Sequence, residues 1–305
     1  STSLPTARFH TAYWANTVTN PLLKNNSMPQ FFDLFAYSFF QNAFAASILI
    51  SLLSALIGTY IVARKNVFIS GGITHASFGG IGLAYYLGLN PFLGAAVFAV
   101  LTGTSIEWIT NKGKMREDSA IAILWSLGMA LGILFVFLTP GYAPNLMSFL
   151  FGSILSVGRS DVLLIGGLTL LTALFFLLAY RPIIYTAFDP EFSSINGIKV
   201  AFYRYSMAVL VALAIVVSIR AMGIILVLSL FTIPQTTALL YTHSFKRIVA
   251  LAAIFALSGA LIGLYVAYAM NIPSGAAIIF VLTLQYLLLK GIDLLRRQRR
   301  RNTAN

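Results

Sequence analysis

Nine stretches of this chain are apolar for about the length that crosses a bilayer. They run over 34–63, 67–88, 92–109, 119–139, 162–180, 200–219, 223–241, 248–270 and 276–295. A helical span needs about 20 such residues. In hydrocarbon each backbone N–H and C=O must be satisfied without water, so each stretch reads as a helix. Composition agrees: 59% of the 305 residues are hydrophobic and only 9% charged, where a soluble domain carries roughly 25% charged residues. The expected fold is therefore all-α and integral to the membrane, a polytopic bundle of about nine transmembrane helices. A shorter apolar piece at 146–157 cannot span comfortably and reads as a re-entrant or short external helix. No repeat or linker divides the bundle. The domain reading is a polar N-terminal segment at 1–33 with no assigned role, a transmembrane domain at 34–295 and a basic tail at 296–305. The first segment lacks the basic-then-apolar order of a signal peptide.

The formal charge of +12 is confined to short loops and the C-terminus, which fits the positive-inside rule rather than nucleic-acid binding. With Arg64 and Lys65 placed in the cytoplasm, Lys112, Lys114, Arg116, Arg181, Lys199, Arg204, Lys246, Arg247, Lys290 and the arginines at 296–301 fall on the same side. Only Arg8, Lys24, Arg159 and Arg220 fall outside. The N-terminus is then external and the C-terminus cytoplasmic, its arginines anchoring on lipid headgroups or meeting an acidic partner. Small-residue pairs one helical turn apart, Gly128/Gly132 and Gly259/Gly263, permit close helix contact, either within one chain or along a dimer seam.

His75 lies inside the second span, in a run of small residues. Ionisable side chains are costly in hydrocarbon and usually face a bundle interior or a cavity, and imidazole is a common metal ligand. His75 thus marks either a polar pathway or a ring satisfied by a nearby carbonyl. Thr74 beside it and Gln235 on the seventh span are candidates to line the same cavity; a packed core glutamine is the plain alternative. No cysteine is present, which excludes thiolate metal sites and cysteine nucleophiles. Metalloprotease and serine-hydrolase motifs are absent, and residues 152–160 miss the phosphate-binding loop, with Arg159 where lysine is needed. The chain reads as no enzyme, with no nucleotide site of its own.

The cytoplasmic loop at 185–199 encodes a short helix outside the membrane. Asp189 can cap it, Pro190 suits the first helical position, and Glu191 favours the positive dipole end. Gly197 supplies the stop. Phe192 and Ile195 share one face. An apolar face on a cytoplasmic loop either seeks a partner groove or folds back on its own bundle.

Several segments together resemble the permease subunits of the bacterial zinc/manganese-uptake ATP-binding-cassette (ABC) transporters. These are 68–80 with His75, the basic-acidic loop at 114–121, 151–155 with Asp161, 188–198, 221–227 with Ile233 and Pro234, and 271–277, in the family's order. The resemblance implies a homodimer in the bacterial cytoplasmic (inner) membrane, two cytoplasmic ATP-binding subunits and a metal-binding periplasmic or lipoprotein subunit. It makes 188–198, with Phe188 and the loop residues above, the ATPase coupling loop. ATP is used by the partner, and the divalent metal is cargo rather than a cofactor. A permease for a metal chelate, siderophore or vitamin B12, is the nearest alternative. An ion-coupled secondary transporter is a further one, with Glu107 the closest intramembrane carboxylate. The family pattern has an Asp four residues before the histidine, where this chain has Gly71. A site that keeps imidazole and loses carboxylate leans from manganese toward zinc.

Overall fold

The structure, a computed structural model, describes residues 33–113, 115–140, 152 and 154–302. Most of the N-terminal segment and most of the external helix expected at 146–157 lie outside the described residues; Ile154–Ser156 form one 3-10 turn. The chain divides into two compact units, Ser1–Gln41 and Asn42–Asn305. In the first, a 3-10 turn at Asp33–Ala36 leads into a helix, and the Gln41 amide donates to the Phe35 carbonyl at 2.7 Å.

That helix, α1 (Ser38–Ala63), is followed by α2 (Phe68–Tyr86), α3 (Pro91–Lys112), α4 (Glu117–Leu138) and α5 (Arg159–Phe188). A short α6 (Pro190–Ile195) precedes α7 (Val200–Met222). Two seven-residue helices, α8 (Ile224–Leu230) and α9 (Ile233–Leu239), together occupy the seventh predicted span. Then come α10 (Phe245–Met270) and α11 (Ser274–Asn302), the latter running on through the basic segment. Seven of these helices are long and apolar enough to cross a membrane. The other two predicted spans are α2 and the α8–α9 pair. The pair falls short in length and α2 in hydropathy, and the composition of α2 has a physical reason. In α2, 14 of 19 residues are buried against protein, so its glycines, serines and threonines do not face lipid.

Close backbone approach holds α2 in place. A Cβ on Gly79 would lie 2.8 Å from the Gly128 carbonyl oxygen, and one on Gly82 would lie 2.8 Å from Gly132 Cα. Gly80 meets Gly94 of α3 in the same way. Gly263 sits against Ile278 and Gly259 against Leu282 of α11. Both glycine pairs that the sequence left between internal packing and a dimer seam are therefore used inside one chain.

Two boundaries differ from expectation. The span expected to end at 180 continues to Phe188, so the cytoplasmic loop begins later than 185. Pro182 inside α5 is accommodated by non-helical backbone at Ala179 (φ −116°, ψ 24°), where the proline ring would otherwise meet the preceding turn. Farther on, Gly223 (φ 82°, ψ 166°) turns the chain from α7 into α8, a conformation open to glycine. Pro234 lies in the first turn of α9, which starts at Ile233, where no N–H is required.

The alternation of helices places Arg64, Glu107, Asn111, Glu117 and Arg204 at one end of the bundle. Arg204 contacts Glu107 at 2.9 Å and donates to Asn111 Oδ1 at 2.7 Å. At the other end Arg220 pairs with Asp161 at 2.6 Å and lies over the Phe92 ring. These groupings separate the residues that the sequence reading places on opposite sides of the membrane.

Candidate metal pathway and cytoplasmic helix

His75 sits in the first half of α2 with its ring stacked on Trp125 of α4, the centroids 4.5 Å apart and the planes 5° from parallel. Its Nδ1 is buried and bonds no protein atom among the described residues. A buried ring nitrogen without a partner is unusual, because such groups normally bond protein or ordered water. It is positioned, rather than satisfied, by its surroundings.

Ser70, Thr74 and Ser77 line up on the same helix and are all buried. Their hydroxyls close on the helix itself: Thr74 donates to the Ser70 carbonyl at 2.5 Å, Ser77 to Thr74 at 2.7 Å. Such hydroxyls keep their second lone pair free. Gly71 lies one turn before His75. A Cβ there would meet the Trp125 ring at 3.5 Å and Leu228 at 3.6 Å, which is ordinary contact. The space for a side chain thus exists beside the same indole on which His75 stacks.

Gln235 is fully buried near the start of α9, and its amide donates to the Ser54 carbonyl of α1 at 2.7 Å. Its Oε1 has no partner among the described residues. It fills the space beside Gly58, where a Cβ would fall 2.7 Å from the Gln235 Cδ. The structure joins His75 to Trp125 and Gln235 to Ser54; no hydrogen bond links Thr74 or Gln235 to His75. Among the described residues no three His, Asp or Glu side chains gather as a metal-binding group.

On the cytoplasmic side α6 forms where the residues dictate. Asp189 Oδ1 accepts from the Phe192 N–H at 2.9 Å, and the Ser193 hydroxyl donates to the Asp189 carbonyl at 2.7 Å. Pro190 and Glu191 occupy the first turn. Gly197 takes φ 75° as the chain leaves, with the Ile198 N–H returning to the Ser193 carbonyl at 3.0 Å. Phe192 is 52% and Ile195 85% exposed, with Phe188 exposed beside them. Phe192 meets the ring of Tyr185 at the end of α5 edge-on, the centroids 6.2 Å apart, and the rest of the apolar face stays exposed.

Sequence reasoning underweighted Glu107. Its carboxylate is fully buried and held by Arg64 of the α1–α2 turn on one oxygen and Arg204 of α7 on the other, while Arg64 also reaches Glu117 at 2.9 Å. The signal was an acid inside a predicted span; its partners come from elements far apart in sequence. Clamped between two guanidinium groups, Glu107 is poorly placed to carry a coupling ion.

Residues 36–290 match the ABC 3 transport family. The manganese transport system membrane protein MntC of Halalkalibacterium halodurans is 34% identical over 252 residues, covering 82% of this chain and 86% of that protein. An uncharacterised membrane protein of Synechocystis is 38% identical over 252 residues, covering 83% and 90%. Among solved structures, PsaBC from Streptococcus pneumoniae in complex with Fab superposes with a TM-score of 0.74 at 29% identity, covering 84% of this chain and 92% of that one.

Proposed function

Because the chain belongs to the ABC 3 transport family, we propose that it is the permease subunit of an ATP-driven importer of divalent transition metal ions, with zinc favoured as cargo. The observation that carries this reading is His75: an intramembrane imidazole with a buried, unpartnered Nδ1, fixed by an aromatic stack on a helix of small residues. Neutral imidazole binds zinc and its neighbours in the transition series, while manganese prefers oxygen ligands. Gly71 leaves the turn before His75 without a carboxylate. Relatives named for manganese make that ion the competing cargo.

The subunit has no catalytic role of its own in this reading. ATP is bound and hydrolysed by separate cytoplasmic subunits, which receive α6 through Phe188, Phe192 and Ile195. Two copies of the chain enclose the pathway, and an external binding protein delivers the metal. Closure of the ATPases moves α6, and α7, which follows it directly, carries that displacement into the bundle. One imidazole holds an ion weakly, as passage requires, since an ion must leave as readily as it enters.

The test is ATP-driven uptake of zinc, manganese and iron into proteoliposomes containing the permease with its ATPase and binding protein. Uptake of one metal, abolished by His75→Ala in a variant that still folds, is the expected result. Intact ATPase activity with no uptake of any free metal would sink the reading and leave a chelated metal as the cargo.

A further inference from the structure

A cavity of about 540 Å³ opens at the cytoplasmic end of the bundle between α1, α5 and the α9–α10 turn. It is separate from the surroundings of His75. Its walls are apolar, formed in part by Val62, Ile184, Leu239 and Ile248, and no carboxylate lines it. Its rim is basic. Lys65 and His243 line the mouth, and the Lys246 ammonium lies 5.0 Å over the ring of Tyr180, another lining residue. Neither lysine makes an ion pair among the described residues.

Two further observations point to a ligand. Thr59, on the cavity wall, is 1% exposed, and its hydroxyl has no partner among the described residues. Thr74, Thr104, Thr169 and Thr186 each donate to the carbonyl four residues back, whereas Thr59, like Thr172 and Thr232, bonds no atom among the described residues. Lys65 has φ 58°, the left-handed position after α1 that glycine ordinarily fills. A lysine tolerates it at a cost, so its side chain rather than its backbone suits the site. Thr59 lies four residues, about 6 Å along the helix, before the end of α1 at Ala63, and Lys65 follows that end.

We infer that this cavity binds one anionic phospholipid of the cytoplasmic leaflet, its phosphate between Lys65 and Lys246, an ester carbonyl accepting from Thr59, and its upper acyl chain against the apolar wall. The depth order of charge, polar hydroxyl and hydrocarbon is that of a lipid in its own leaflet, and the inner surface is where anionic headgroups meet basic side chains. The inference does not depend on which metal is carried.

The test is native mass spectrometry of the full-length permease purified with its ATPase and titrated with phosphatidylglycerol or phosphatidylcholine. One tightly retained phosphatidylglycerol per permease is expected, with phosphatidylcholine held far less well. Lys65→Gly, which relaxes the backbone as it removes the charge, and Lys246→Gln should each weaken retention about fivefold. Thr59→Val should weaken it about threefold by removing one hydrogen bond, and all three should keep the parent melting temperature. Equal retention of the two lipids would overturn the inference. So would an equal loss from Lys112→Gln, a cytoplasmic lysine outside the cavity, or displacement of the lipid by millimolar inorganic phosphate. Binding that occurs only once the ATPase is stripped away would assign the cavity to that subunit instead.

Discussion

Glu107 and His75 are both ionisable groups inside the bundle, one near the cytoplasmic end of α3 and the other in α2, and their surroundings are opposite. Glu107 is met by two arginines, one of which also binds Glu117. His75 receives one aromatic face and leaves a ring nitrogen unbonded. A buried charge is tolerated when its partners return what desolvation takes away, and removing one partner is then severe. A buried polar atom with no partner destabilises the fold by its uncompensated desolvation. The first arrangement is a structural joint among α1, α3, α4 and α7; the second is a group held ready for something that is not protein.

That contrast can be broken by experiment. Glu107→Ala leaves Arg64 and Arg204 facing each other with only Glu117 to compensate, and should cost about 3–5 kcal/mol, read as a large fall in melting temperature or loss of folded protein. A loss below about 1 kcal/mol would show the joint to be water-filled and dispensable. Gly82→Leu tests the packing that positions His75. It forces α2 from α4 and should cost about 1–3 kcal/mol, with uptake lost as the stack on Trp125 is disturbed. Asp189→Ala removes the cap of α6, worth about 1 kcal/mol locally; melting should barely move while ATP hydrolysis and transport become uncoupled. Gly71→Asp is the mildest. The space beside Trp125 admits it, and manganese uptake should rise relative to zinc by about threefold as an oxygen ligand joins the imidazole. An unchanged ratio would show that residue 71 does not face the cargo.

The spans were legible because hydrocarbon admits so few solutions: apolar length located the seven helices long and apolar enough to cross a membrane, and the Gly-rich α2 and the α8–α9 pair lie at the two other predicted stretches. The cap, stop and exposed face of α6 were legible for a related reason, since a short helix is specified by local residues. The continuation of α5 was not. Arg181 and Pro182 read as the end of a span, yet the helix absorbs the proline with a kink at Ala179. The partners of Glu107 and the stack of His75 on Trp125 were also hidden, because each joins helices whose neighbours are set by packing rather than by sequence order. Gln235 shows the limit from the other side: its residue type suggested a pathway, and its position against Ser54 and Gly58 depends on how the break between α8 and α9 packs on α1.

The Arg64–Glu107 contact also has a history within each molecule's synthesis. The two residues are 43 positions apart, and chains emerge N-terminus first. Arg64 therefore reaches the membrane while its carboxylate is still unmade, and at that moment it is a free positive charge beside Lys65 that holds the first hairpin to the cytoplasmic side. Only when α3 arrives is the charge neutralised. A single arginine thus serves as a topogenic signal during biogenesis and as a buried cross-link afterwards. A substitution that spared the finished joint could still send the nascent chain in upside down.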